Sequence, residues 1–136
     1  MKIAYSLAGE GRGHTTRAIG LGASLIDAGH DVRFFTDGEA LQLITEKFGE
    51  KKVSPMKVPR FNYGPKGVRL IRSAIDNIGL VFNRKPNVNS VIKEFGEWMP
   101  DAVICDFEPT MYSVAKKLNI PFICFDSQRF ANACKV

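Results

Sequence analysis

Apolar positions change period several times along this chain, and each change marks an element. Lys2-Ile3-Ala4-Tyr5-Ser6-Leu7-Ala8 is a short apolar run that reads as a buried strand. Ala18, Ile19, Leu21, Gly22, Leu25 and Ile26 then recur at helical spacing, and Gly29 marks the C-terminal end of that helix. Asp31-Val32-Arg33-Phe34-Phe35-Thr36 is the second strand. Thr36-Asp37-Gly38-Glu39 has the spacing of a capping box and predicts a short helix through Leu41, Ile44 and Phe48. Lys52 to Val58 predicts a third strand, which Pro55, lacking an N–H, places at a sheet edge.

Pro59 to Gly67 is a loop by composition, and Phe61 and Tyr63 within it require core contacts or a ligand. Ile71, Ile75, Ile78 and Phe82 form one helical stripe. Pro86 interrupts, and Val88, Val91, Ile92, Phe95, Trp98 and Met99 form a second; both read as core. Pro100-Asp101 ends that helix. Ala102-Val103-Ile104-Cys105 is too short for a helix and continuously apolar, so it reads as a strand buried on both faces. Asp106-Phe107-Glu108 follows, and Pro109 suits the first residue of a helix carried inward by Tyr112, Val114, Ala115 and Leu118. Asn119-Ile120-Pro121 turns the chain into a fifth strand, Phe122-Ile123-Cys124-Phe125.

Strands alternating with helices predict an α/β fold: a doubly wound, Rossmann-like, mainly parallel sheet with helices on both faces. Right-handed crossovers reduce the topologies to few, and the expected strand order is 3-2-1-4-5. Direction reverses between strands one and four, and the crevice at their C-terminal ends is where such a fold binds ligands. The glycine-rich loop Gly9-Glu10-Gly11-Arg12-Gly13-His14 follows strand one, and Asp106 ends strand four. His14 and Asp106 are therefore expected to meet, though far apart in the chain.

Composition narrows the function classes. The 136 residues suit one domain; 45% are apolar and 24% charged, as in ordinary globular proteins. No run approaches 18 apolar residues and no signal-peptide pattern opens the chain, so cytoplasm is the expected compartment. Cys105, Cys124 and Cys134 lack a C-x-x-C spacing, and two histidines exclude a His-rich metal site. The net charge of +5 arises largely between Lys47 and Lys93, where Glu50 and Asp76 are the only acids. A solvated face is the plainest reading, and peripheral contact with an anionic membrane face is the next. Nucleic acid is not expected, because no recognisable binding module accompanies the charge.

The glycine loop fails two phosphate-loop tests. A Walker motif needs Gly-Lys-Ser/Thr, and here His14-Thr15 follows Gly13. A dinucleotide fingerprint from Gly9 and Gly11 needs a third glycine where His14 stands, and Asp37 is better explained by a turn and helix start than by a ribose. A response regulator wants paired acids after strand one, and a flavodoxin wants a hydroxyl-rich phosphate loop; neither is present. Glycines at 9, 11 and 13 allow close approach to the backbone, and a helix N-terminus favours polar or anionic groups. A neutral imidazole held at one nitrogen by a carboxylate can take a proton through the other. Asp106 alone is also explained as a cap for the helix at Pro109. Glu10 and Arg12 flank the loop; Glu108, Ser127 and Gln128 lie on the rim, as hydroxyl-binding groups or as ordinary caps and surface. His30, at a helix-to-strand turn, is expected to be structural.

Gly9-Glu10-Gly11-Arg12-Gly13-His14-Thr15-Thr16-Arg17-Ala18, then Ala28-Gly29-His30-Asp31-Val32 and Asp101-Ala102-Val103-Ile104-Cys105-Asp106-Phe107-Glu108-Pro109, resemble the N-terminal domain of glycosyltransferases with two Rossmann-like lobes. These include the cell-wall N-acetylglucosaminyltransferases, the UDP-glycosyltransferases and related microbial proteins. The resemblance covers nearly the whole chain. It implies that this lobe binds the acceptor while a C-terminal lobe holds a nucleotide-sugar, the donor co-substrate, with no tightly bound cofactor and no obligatory metal. It implies that His14 deprotonates the acceptor hydroxyl and that Asp106 orients it. Gly9, Gly11, Arg12, Gly13, Thr15, Glu108, Ser127 and Gln128 then stand near acceptor and phosphates. The acceptor that the resemblance implies is polar or lipid-linked.

The sequence departs from that family in length, ending at Val136 soon after the fifth strand. The expectation is an incomplete acceptor-side domain, inactive alone, or one subunit of a split enzyme with a donor-lobe partner. A sheet ending at strand five also predicts self-association or a partner at its exposed edge. The competing expectation is a non-catalytic binding module, which needs no contact between His14 and Asp106.

Overall fold

A computed structural model describes residues 1–59, 63–64, 67–68, 77–78 and 85–125. In chain order the elements are β1 (Lys2–Leu7), α1 (Arg12–Asp27), β2 (Asp31–Thr36), α2 (Gly38–Phe48), a 3-10 turn (Glu50–Lys52) and β3 (Val53–Pro55). There follow a two-residue antiparallel ladder of β4 (Tyr63–Gly64) with β5 (Gly67–Val68), then α3 (Lys85–Phe95), β6 (Ala102–Asp106), α4 (Pro109–Leu118) and β7 (Phe122–Phe125).

Five strands form one parallel sheet in the order β3-β2-β1-β6-β7. With β6 and β7 as its fourth and fifth strands, this is the expected 3-2-1-4-5 order. β1 lies at the centre because its residues are apolar on both sides of the pleat. Ile3, Tyr5 and Leu7 face α1 and α2 together with Val32, Phe34 and Ile104, whereas Ala4 faces α3 and α4 with Phe35, Val103 and Cys105. Each helix inserts its apolar stripe into one of these two layers: Ala18 and Ile44 into the first, Val91 and Phe95, Met111 and Val114 into the second. In α1 the stripe includes Gly22, where a Cβ would stand 2.5 Å from the Phe34 ring. No helix among the described residues is long and apolar enough to cross a membrane.

Several local expectations are revised. Thr36 does not open a capping box. It is fully buried at the end of β2 and its hydroxyl donates to the Leu7 carbonyl (3.0 Å), while Asp37 is the cap of α2 and accepts from the Gly38 N–H (2.7 Å). A hydroxyl between two central strands is more useful as a cross-strand donor than as a cap at the surface. Pro86 sits in the first turn of α3, where its missing N–H has no intrahelical partner to lose. Trp98 lies beyond α3 and is buried, and Met99 is exposed. The third strand is shorter than expected, Val53–Pro55, at the edge that Pro55 predicts. Ile78 is exposed rather than core; Ile71, Ile75 and Phe82 lie outside the described residues, as do Phe61, Ser127, Gln128 and Cys134. At the opposite edge, β7 exposes Phe122 and Ile123, the latter by 60%.

Candidate active site

The C-terminal ends of β1 and β6 lie side by side, with Leu7 opposite Asp106, and the Ala8 N–H donates to the Asp106 carbonyl (3.0 Å). Side chains alternate along a strand, so Asp106 faces the same way as Ile104, toward α1. That alternation delivers a carboxylate under the first turn of α1. His14 is the third residue of that helix, and Arg17 follows one turn later on the same side.

Asp106 is wholly buried and bonded at both oxygens. Oδ1 lies 2.7 Å from His14 Nδ1 and 2.6 Å from Arg17 Nη2; Oδ2 accepts from Arg17 Nε at 2.7 Å and from the Tyr5 hydroxyl at 3.3 Å. Arg17 thus grips the carboxylate as a two-pronged fork, the strongest geometry available to such a pair. This hydrogen bond to Asp106 raises the proton affinity of the guanidinium above its ordinary value. Burial, then the neighbouring Asp106 charge, pushes the Tyr5 phenol well above its usual range, so Tyr5 is a neutral donor here.

The imidazole proton is assigned from the contacts. His14 Nδ1 lies 2.7 Å from Oδ1 and 3.1 Å from Arg17 Nη2. A lone pair on Nδ1 would accept from Arg17 but face an oxygen lone pair across the shorter distance. A proton on Nδ1 makes the shorter contact a hydrogen bond, which leaves Nε2 as the acceptor nitrogen. The His14 side chain is 29% exposed. Phe107 stacks on its ring, centroids 5.4 Å apart and planes 23° from parallel, and does so from a left-handed backbone conformation (φ 58°) that bulky residues seldom adopt.

The glycines around this centre serve different ends. A Cβ on Gly9 would stand 2.7 Å from the Asp37 carbonyl oxygen, and the Ala40 N–H donates to the Gly9 carbonyl (3.1 Å), so Gly9 welds the loop to the start of α2. Gly11 adopts φ 92° at the start of α1, where no side chain caps the helix. Gly13 has open space where a Cβ would be. Arg12 is exposed and lies 3.7 Å from Glu39. Thr15 is buried beneath the helix. Glu108 is buried too, and its two oxygens accept from the N–H groups of Thr110 (2.6 Å) and Met111 (2.8 Å), capping α4. The cap of α4 is therefore Glu108, which leaves Asp106 for the crevice. His30 is 3.3 Å from the Met1 amine, at the far end of the sheet.

The structure thus joins His14 to Asp106 and adds Tyr5, Arg17 and Phe107, which the sequence reading passed over. One signal for Arg17 was present: a cation three residues after a histidine shares its face of a helix.

The sequence profile of glycosyl transferase family 1 matches residues 1–136. The chain is 31% identical over 128 residues to an uncharacterized glycosyltransferase of Methanosarcina mazei, covering 89% of this chain and 31% of that protein. Among solved structures it resembles the glycotransferase of kitacinnamycin (TM-score 0.65, 18% identity), covering 90% of this chain and 29% of that one. It also resembles a calicheamicin glycosyltransferase (TM-score 0.63, 17% identity), covering 90% and 31%. The chain spans about a third of the length of these proteins.

Proposed function

The chain belongs to glycosyl transferase family 1, and from that premise we propose that residues 1–136 form the acceptor-side lobe of an enzyme that moves a sugar from a nucleotide-sugar to an acceptor hydroxyl. The observation that carries this reading is the direct contact of His14 Nδ1 with Asp106 at the switch point of the sheet. A binding module would need no such contact.

In the proposed reaction the acceptor O–H proton passes to His14 Nε2. The acceptor oxygen forms a bond to the anomeric carbon, the bond from that carbon to the donor's phosphate oxygen breaks, and its electron pair leaves with the diphosphate. Asp106 fixes the imidazole through Nδ1–H, a hydrogen bond that strengthens as positive charge forms on the ring. The first turn of α1 directs backbone N–H groups toward the loop, where they support the departing diphosphate. The nucleotide-sugar itself is held by a second lobe, supplied by a longer polypeptide or by a partner subunit, so residues 1–136 alone bind acceptor without turning over donor.

The test uses the polypeptide encoded by the complete reading frame, a panel of nucleotide-sugars and hydroxyl acceptors, and detection of product by mass. Wild type transfers sugar. His14→Ala lowers kcat by about 10²- to 10⁴-fold, the usual worth of a positioned base, with donor binding unchanged by calorimetry. A His14→Ala enzyme as fast as wild type would overturn the proposal.

A further inference from the structure

We infer that Arg17 is a positioning residue that keeps His14 in its neutral, Nδ1-protonated form, with the Nε2 lone pair available to the acceptor. This rests on the transferase reading of the same site.

The argument is one of local charge. Asp106 is wholly buried, and a buried carboxylate beside an imidazole, with no other cation at hand, draws a proton onto the ring to make an ion pair. Such an imidazolium has no lone pair and is no base. Arg17 supplies the missing cation. Its fork engages both oxygens of Asp106 at 2.6 and 2.7 Å, so the pair carries no net charge, and the carboxylate still accepts from Nδ1–H. The guanidinium also lies 3.1 Å from Nδ1, where its charge opposes a second positive charge on the ring.

The other titratable groups on the elements around the ring do not replace it. From β1, Tyr5 is a neutral donor to Oδ2. From β6, the Cys105 thiol lies on the opposite face of the sheet and is pushed well above its usual range by burial, then by Cys124 and Glu108, so it adds no charge. From the α4 turn, the Glu108 carboxylate is engaged with the Thr110 and Met111 N–H groups. From α1 and its loop, Arg12 is paired with Glu39, and Glu10 is an acid, which cannot neutralise Asp106. Arg17 is the cation whose nitrogens bond the carboxylate, and its guanidinium is further located 5.5 Å above the Phe125 ring. Lysine would not serve, because a single ammonium cannot engage both oxygens in plane.

The consequence appears when the acceptor proton arrives. The unit of His14, Asp106 and Arg17 goes from net zero to net positive while the leaving diphosphate gains negative charge. The charge is created in the transition state rather than before it, which is where it accelerates the step.

The test reads protonation directly. The His14 ring signals are identified by their disappearance in His14→Gln, in long-range ¹H–¹⁵N spectra of the full polypeptide at pH 7. Wild type shows a neutral ring with the proton on Nδ1. Arg17→Met shows both nitrogens protonated; Arg17→Gln, closer in shape, reads the same quantity if the methionine variant fails to fold. In the turnover assay either variant loses on the order of ten- to a hundredfold in kcat at pH 7, with KM within about twofold, and recovers as pH rises. An Arg17 variant that retains the neutral Nδ1–H ring, or a wild type that carries an imidazolium at rest, would overturn the inference. The spectra need no turnover, so failure of the transferase reading and failure of the Arg17 assignment are separate results.

Discussion

Two aspartates, one at each end of the same sheet, are bound by similar partners to opposite effect. Asp106, at the C-terminal end of β6, meets an arginine, an imidazole and a phenol. Asp31, at the N-terminal end of β2, accepts from Lys52 Nζ at 2.6 Å and from the indole N–H of Trp98 at 2.5 Å, and Arg33 lies 4.3 Å above that indole. Both carboxylates join residues distant in sequence. They differ in burial, since the Asp31 side chain is 42% exposed and that of Asp106 is buried, and in what remains unspent. The partners of Asp31 are donors with no lone pair to take up a proton, so the cluster straps β2, the 3-10 turn and the Trp98 turn together. Among the partners of Asp106, His14 retains a second nitrogen directed away from the carboxylate. A carboxylate becomes part of a chemical centre when one of its partners has something left to exchange.

That contrast is broken or sharpened most forcefully by paired substitutions. In the complete enzyme Asp106→Ala lowers kcat by about 10²- to 10⁴-fold, whereas Asp31→Ala leaves it within about twofold; equal losses in steady-state assays would erase the distinction. The second test asks whether the upper end is rigid. Gly9→Ala places a methyl against the Asp37 backbone, 2.7 Å from its carbonyl oxygen, and neither chain segment can yield cheaply. A loss of about 1–3 kcal/mol in urea unfolding is expected, the usual cost of overpacking. An unchanged midpoint would mean that the His14 loop is not fixed by α2.

The smallest effect concerns pH at the lower end. The hydrogen bond from Lys52, then that from Trp98, holds the Asp31 carboxyl below its ordinary value. A lowered folded-state value means that the stabilisation is present above the ordinary carboxylate range, near pH ~4, and is lost as pH falls through the lower folded value. Because Asp31 is substantially exposed, its worth is under about 1 kcal/mol. Wild type should therefore lose a small, salt-sensitive part of its stability as pH falls below about 4, and Asp31→Asn should lack that loss. An identical acid profile would show that the strap is geometric only.

The sheet was legible because its signals are local. Continuous apolar runs at Ile3 and Val103 mark strands buried on both faces, Pro55 marks an edge, and Pro109 marks a helix start. His14 and Asp106 were legible as a pair because the strand order places the ends of β1 and β6 together. Arg17 and Tyr5 were not, because their role depends on which way a side chain leaves its element, and composition and spacing do not encode that direction unaided. The same limit explains Thr36: the residues around it match a capping box, yet burial between β1 and β2 turns its hydroxyl to the Leu7 carbonyl. Glycines were the hardest to read. Gly9, Gly11 and Gly13 look equivalent in sequence, but one is fixed by contact with Asp37, one by its positive φ, and one faces open space.

The central place of β1 has a further consequence for how the chain comes to its native state. β1 and β2 are close in the chain, but the other neighbour of β1 is β6, and the residues that meet across that border, Ile3 with Ala102 through Leu7 with Asp106, are 99 apart in sequence. Closing so long a loop is entropically late, and during synthesis the border strand does not exist when β1 leaves the ribosome. Until β6 inserts, the nascent sheet carries an open strand edge in its middle, the feature that invites mispairing between chains. The insertion that removes this hazard also delivers Asp106 to His14, so the centre is assembled when β6 joins β1 and cannot exist before that.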